Sequence, residues 1–309
     1  MSFRRPTLAV ILLCSLSMAA SSCVVRRRLI VRKGSNAAQP LLVADKEALL
    51  EAISRQYRSV HDFSATVDMV PALGSAEKSK ITEYKDVRAY ILFRKPAFIR
   101  IIGLYPVVRN KAFDMTSDGA RFELYIPSRD EFIEGNNELT QPSKNKLENL
   151  RPQHFVDALL VRPVDQAVDL VALENFTDEA VANYILLVFH EENGALQLRR
   201  SIWFNRVNLE IVRQLIFDVA GNILTDARYS EWHAYDKVPF PKHVEINRPQ
   251  DEYGVVIDIV KMELNKGVTD DKFVLEQPAG TKLRVLGQVP AAPAGQTPAS
   301  STGGKTNPD

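Results

Sequence analysis

The chain has 309 residues and a mass of 34.7 kDa, with 45% apolar residues, 25% charged residues and a net charge of +1. This is globular composition, which argues against a collagen-like or wholly disordered chain, and the near-neutral balance does not suggest a nucleic-acid binder. The two cysteines are Cys14 and Cys23, so residues 24–309 hold no thiol nucleophile, no disulfide framework and no Cys-ligated zinc.

Residues 1–22 read as an export signal. Arg4 and Arg5 make the basic start, 8–16 is an apolar run, and Ala19, Ala20, Ser21 and Ser22 are the small residues of a cleavage site. They end at Cys23. Ala20-Ser21-Ser22-Cys23 resembles the bacterial lipobox, in which the cysteine is acylated and becomes the N-terminus. The alternative is an uncleaved anchor over 8–25, which is short and serine-rich for a span of about 20 residues. Arg26, Arg27, Arg28, Arg32 and Lys33 follow directly and oppose translocation by the positive-inside rule. In a lipidated chain they would sit at the headgroups and favour anionic lipid by about 1 kcal/mol each. Val24, not Asp, follows the cysteine, which leans towards the outer membrane. Residues 23–43 are then a lipidated tether.

The folded region is expected over 44–285, followed by a Pro, Ala, Gly, Ser and Thr tail at 286–309 that cannot bury a core and should be disordered. Residues 45–60 have helical spacing, with Leu49, Leu50, Ile53, Tyr57 and Val60 recurring and Asp45 as N-cap. Strand patterns follow at 63–70, 82–94, 97–104, 110–116, 121–126 and 131–134. Ser117-Asp118-Gly119 and 127–130 are turns between them. A polar stretch, 136–151, interrupts the series, and Pro152 opens a short helix with Phe155, Val156, Leu159 and Leu160 on one side. Strands resume at 182–190, 196–204, 209–217, 223–232, 240–247 and 255–264, with Asn193-Gly194 as a hairpin turn. In two of them the apolar parity is broken by a charge. Arg200 intrudes among Leu196, Leu198, Ile202 and Phe204, and Arg213 among Leu209, Ile211, Leu215 and Phe217. These patterns predict a mainly β protein with a few helices, built as a meandering antiparallel sheet or barrel.

The five histidines form no metal-binding spacing, and no nucleophile elbow, P-loop or dinucleotide fingerprint occurs. No enzyme activity and no cofactor are expected.

The informative stretch is 87–135, where Arg94-Lys95-Pro96 precedes an apolar strand, a connection at 103–108, the Ser117-Asp118-Gly119 turn, an aromatic strand and the Pro127 turn. With Trp203-Phe204, Arg213-Gln214, Gly221, Tyr229, Pro241 and Asp271-Lys272-Phe273 in order behind it, this resembles the LolA/LolB superfamily of lipoprotein carriers and receptors over roughly 45–280. The resemblance implies an unclosed, strongly curved antiparallel β-barrel with helices over the concave face, which holds acyl chains. On that reading Phe98, Ile101, Ile102, Phe122, Leu124 and Tyr125 are lipid-groove candidates; read as residues alone, each is equally core. Lys95, with Arg94 alongside, falls where the carrier has an arginine that closes onto a lid helix, although lysine lacks the planar fork; the alternative is solvated strand-end charge. Leu104, Tyr105, Val107 and Val108, flanked by Arg109 and Lys111, are candidates for a membrane-tip loop, or else a buried crossover turn.

The function implied is that of a monomeric envelope lipoprotein, facing the periplasm from the outer membrane. It would bind the acyl chains of lipoproteins or lipids and take part in their transport or outer-membrane insertion, with a periplasmic carrier as a possible partner. The alternatives are a free-lipid carrier or sensor of the same fold, and a structural envelope lipoprotein without cargo.

Overall fold

The computed structural model describes residues 40–75, 80–83, 86–106, 108–137, 151–177 and 181–286. The signal peptide, Cys23, most of the tether, Val107 and the tail from 287 lie outside the described residues.

The described residues form two α-helices and fifteen strands. Asp45 opens α1 (Lys46–Ser59), its carboxylate accepting the Ala48 N–H at 2.8 Å, and Leu49, Leu50 and Ile53 form the buried face. The strands are β1 (Asp62–Ser75), β2 (Lys80–Glu83), β3 (Val87–Arg94), β4 (Phe98–Leu104), β5 (Lys111–Ser117), β6 (Arg121–Ile126), β7 (Glu131–Asn136), β8 (Asp169–Thr177), β9 (Ala182–Glu192), β10 (Ala195–Asn205), β11 (Ile211–Phe217), β12 (Ile223–Tyr235), β13 (Val238–Arg248), β14 (Tyr253–Leu264) and β15 (Lys282–Val285). Between β7 and β8 lies α2 (Pro152–Leu159), with proline at its first position.

All the described strands belong to one sheet. Its order is β15-β7-β6-β5-β4-β3-β1-β14-β13-β12-β11-β10-β9-β8, with β2 paired to the end of β1. Every pairing is antiparallel except β15 with β7. β15 and β8 form its two edges, so the sheet is not closed. The sequence pattern did not mark β8 and β15, and its single strand over 82–94 is two strands, β2 and β3. Only four residues long, β15 carries too little alternation to read; β8 is mostly exposed and so lacks an apolar face.

The curvature follows from what α2 touches. It packs against β4 and β5 and also against β12 and β13. β4 and β13 are four strand spacings apart, about 19 Å along a flat sheet, whereas a helix with its side chains is only about 10 Å wide. The sheet therefore bends around α2, and α1 and α2 share its concave side with the core. That core joins Leu49, Ile53, Phe155, Val156 and Leu159 of the helices to Phe63, Ile91, Phe93, Ile99, Ile101, Phe122, Phe204, Phe240 and Ile257 of the strands.

A helix of eight residues inside a sheet leaves carbonyls that water cannot reach. Sheet side chains meet them. The Tyr229 hydroxyl donates to Ala158 O at 2.7 Å, and Gln214 Nε2 donates to Asp157 O at 3.0 Å. Just beyond the helix, Arg200 donates to Arg162 O at 2.8 Å and to Gln214 Oε1 at 3.0 Å. Two bulges put these groups inside. The register of β10 against β9 slips between Leu198 and Arg200, and that of β11 against β10 slips at 212. Each slip reverses the faces. Arg200, Ile202 and Phe204 then point inward while Leu196 and Leu198 point out, and Gln214 rather than Arg213 faces α2. The charged residues that broke the apolar alternation thus mark the bulged strands.

Tyr229→Phe keeps the ring but leaves Ala158 O buried without its donor. We expect a loss of about 1–3 kcal/mol in unfolding free energy, measured by urea denaturation, with an unchanged far-UV circular dichroism spectrum.

Candidate functional site

The two faces of the sheet divide the groove candidates. In β4, Ile101 pairs with Ile91 and Met115 on the concave side and is fully buried. Phe122 and Leu124 of β6 lie on the same side, buried, with the Arg151 guanidinium 4.5 Å from the Phe122 ring. Phe98, Ile102 and Tyr125 have the opposite parity and lie on the convex side, half-buried. The six residues are therefore two groups of three, because adjacent residues in a strand face opposite ways.

The concave group is covered by α2. His154, near the start of α2, has Nδ1 2.7 Å from the Tyr253 hydroxyl, and the two rings stack. Burial, reinforced by Arg248 and Arg151, holds this histidine well below the usual imidazole value, so it is neutral. With Arg151, Arg200, Gln214 and Tyr229, His154 forms a polar collar around an apolar helix. Sequence periodicity singled out none of these as a group, since their partners come from distant strands.

The convex group lies beneath a strap formed by residues 266–281, which crosses the outer surface from β14 to β15. Arg100 and Asp114 hold the strap down. Arg100 makes two hydrogen bonds to the Asp114 carboxylate, both at 2.9 Å, and donates to Lys272 O at 2.9 Å and Val274 O at 3.0 Å. Lys111 Nζ donates to Asp114 at 2.7 Å, and the Thr116 hydroxyl donates to Phe273 O at 2.9 Å. Burial pushes the Asp114 carboxyl up, but the hydrogen bonds and charges of Arg100 and Lys111 outweigh this and hold it below the usual carboxylate value. A surface cleft of about 480 Å³ opens beside the strap, lined by Arg100, Lys111, Tyr125, Asp271, Val274, Leu275, Glu276 and Pro278.

Arg94 and Lys95 go to different elements. Arg94 donates to Val268 O at 3.0 Å, pairs with Asp270, and lies over the Phe98 and Phe273 rings, so it too holds the strap. Lys95 donates to Tyr57 O in the last turn of α1, and its ammonium lies 3.8 Å from the centre of the Tyr57 ring. A cation at a helix C-terminus meets both the open carbonyl and the negative end of the dipole.

The connection between β4 and β5 is an exposed turn. Tyr105 and Val108 are 40% and 64% exposed, flanked by exposed Arg109 and Lys111, while Leu104 is half-buried at the strand end. Val107 lies outside the described residues. In the Ser117-Asp118-Gly119 turn, the Asp118 carboxylate accepts the Ala120 and Arg121 N–H groups at 2.8 and 2.7 Å. At Gly119, φ is +102° and an added Cβ would lie 2.7 Å from that of Ala97, so only glycine fits.

Two titrations are expected to be readable. Asp114 has a lowered folded pKa, so its contribution is complete above the ordinary carboxylate value of about 4 and disappears as pH falls through the lower folded value. Asp114→Asn should cost about 3–5 kcal/mol, flatten that acid limb of the stability profile, and speed proteolysis within 266–281. The second is His243, with Nδ1 2.7 Å from Asp258 and Nε2 3.3 Å from Glu245. Burial lowers its pKa, but the hydrogen bonds to Asp258 and Glu245 prevail and raise it. Its contribution is thus complete below the ordinary imidazole value of about 6.5 and lost as pH rises through the raised folded value. His243→Gln should remove this step from urea midpoints measured across neutral pH.

Among the described residues no helix is long and apolar enough to cross a membrane. No protein-family model matches the chain, and no curated protein matches it. Solved structures do. A DUF1329 family protein from Desulfovibrio piger is similar with 16% identity and a TM-score of 0.50, over 74% of this chain and 96% of that one. A LolA superfamily protein from Nitrosomonas europaea follows with 14% identity and a TM-score of 0.47, over 73% and 97%. A Vibrio parahaemolyticus domain named for outer membrane lipoprotein sorting has 10% identity and a TM-score of 0.48, over 72% and 95%. At these identities the likeness is one of fold alone. The fold shared with the Desulfovibrio piger protein is one unclosed, curved antiparallel sheet with helices on its concave side.

Proposed function

We propose that this chain is an envelope lipoprotein, acylated at Cys23, that binds acyl chains of lipoproteins or lipids on the concave face of its sheet and takes part in their transport or outer-membrane insertion. The observation that carries the reading is the cover of that face. It is apolar from β6 through β14, and across its middle it is closed by one eight-residue helix rather than by a second sheet. Cargo would replace α2. Lifting Phe155, Val156 and Leu159 costs about 1.5–3 kcal/mol for each side chain, and the strand residues beneath lose a similar amount. An acyl chain of about sixteen carbons offers on the order of 12 kcal/mol at ~0.8 kcal/mol per CH₂, so the exchange is nearly balanced. Transfer would follow relative affinity, with no catalytic step and no cofactor. Tyr105 and Val108 of the exposed turn are the proposed apolar contact for delivery.

A second reading is favoured by one specific observation. In this structure the concave side is filled by the chain's own side chains, with Ile99, Ile101, Phe122 and Phe155 buried against one another's neighbours. That suits a structural envelope lipoprotein that carries no cargo. Native mass spectrometry of the full chain bearing Cys23→Ser, purified without detergent from the cell envelope, separates the two. The carrier reading expects bound lipid, and more of it in Tyr229→Phe, where α2 is loosened. Only the bare protein mass in both variants would favour the structural role. Transfer of an acylated lipoprotein in vitro, slowed by Val108→Glu with uptake retained, would distinguish lipoprotein handling from carriage of free lipid.

A further inference from the structure

The two edges of the sheet are built differently. β15 is four residues long and carries Lys282 and Arg284, a short and positively charged form that discourages strand pairing. β8 is nine residues long, with no proline, lysine or arginine and no register shift against β9. Its charges are Asp169 at the start and Glu174, and Leu170, Ala172 and Leu173 are exposed along it. Among the described residues no strand pairs with its outer side. Such an edge is a template for another strand.

Backbone directions fix which residues offer their groups. Ala182 O accepts the Arg206 N–H on the β10 side, so Ala182 and its β8 neighbour Thr177 do not bond to each other. The N–H and C=O of Thr177, and by alternation those of Asn175, Leu173 and Val171, therefore point to the open side. The Asp169 C=O points the same way, while its N–H donates to Asp165 O at 2.9 Å.

This edge complements itself. In a two-fold antiparallel pairing, the register that overlaps all of β8 is centred on Leu173. It sets Val171 opposite Asn175 and Asp169 opposite Thr177, so outward groups meet outward groups; a slip of one residue would mismatch them all. Leu170 falls opposite Phe176 and Glu174 opposite Ala172, so no like charges are directly opposed. A centre at Glu174 would set two carboxylates against each other. The ends also match by charge. Arg206 donates to Asn175 Oδ1 at 2.8 Å and to Thr177 Oγ1 at 3.2 Å. The two-fold therefore brings Asp169 of each copy to the face where the other copy holds Arg206.

We propose that β8 is a dimerisation strand, whose outer edge pairs antiparallel with β8 of a second copy and joins two sheets into one. The occupant is a second copy because the strand supplies both halves of the match, in backbone direction and in charge. An edge of nine residues is smaller than the roughly 20–30 residues a side of a stable complex, so association is reversible. The monomer expected from the sequence is then the dilute form.

Cysteine cross-linking tests the register, in the full chain bearing Cys14→Ser and Cys23→Ser, which retains no native thiol. Leu173 faces itself across a hydrogen-bonded pair with Cα atoms about 5.5 Å apart, within the reach of a disulfide. Leu173→Cys should oxidise to a product of twice the chain mass, whereas Leu170→Cys, about 20 Å from its own copy, should not. Leu173→Pro removes an outward N–H and no bond to β9. It should abolish the concentration-dependent dimer in sedimentation equilibrium with the far-UV circular dichroism spectrum unchanged; if that spectrum changes, the cross-linking pair decides alone. Equal cross-linking at 170 and 173, no cross-link at 173, or a dimer that survives Leu173→Pro would overturn the proposal. So would a Leu173→Cys product joined to a different protein, which would assign the edge to a foreign strand.

Discussion

The structure depends on keeping one short helix inside a bent sheet. α2 contributes Phe155, Val156, Ala158 and Leu159 to the core, but it also carries carbonyls into a place without water. An unpaired buried carbonyl costs as much as a buried side chain contributes. Tyr229 and Gln214 remove that cost at Ala158 O and Asp157 O, Arg200 donates to Arg162 O just beyond the helix, and near the other end the Tyr253 hydroxyl meets the His154 ring. The sheet closes around the helix far enough to bring these strands within hydrogen-bonding reach. Its curvature and the satisfaction of α2 are one constraint.

The convex side solves a different problem. A sheet exposed on its outer face would leave Phe98, Ile102, Tyr125 and the Arg100–Asp114 pair in water. The strap of 266–281 covers them, and its backbone carbonyls are the acceptors that complete Arg100 and Thr116. A related clamp sits on the second half of the sheet, where Arg213 makes two hydrogen bonds to Asp226 at 2.8 Å and Arg228 adds a third at 3.1 Å. Among the described residues no strap crosses there, and Arg228 is exposed. The strap crosses the first half of the convex side, and the 480 Å³ cleft lies on that half.

This arrangement bears on cargo. A concave face filled by side chains of the strands themselves would be inert. Here part of the filling belongs to α2, one eight-residue helix, which on the proposed function gives way to cargo. Whether fatty chains enter is then a contest between two apolar occupants of similar size, set by the strength of the polar collar.

Much of the fold could be read from residues alone. Asp45 and the spacing of Leu49, Leu50 and Ile53 determined α1; Pro152 with Phe155, Val156 and Leu159 determined α2; and alternation with Asn-Gly and Asp-Gly turns determined most strands, because each rests on local geometry. The split of Phe98, Ile102 and Tyr125 from Ile101, Phe122 and Leu124 was also implicit in their parity. Only the tertiary structure decided which face was concave, where two bulges turned Arg200 and Gln214 inward, and that Arg94 serves the strap while Lys95 serves α1. Those outcomes depend on strands and carbonyls more than thirty residues away, and no local pattern encodes a partner at that distance.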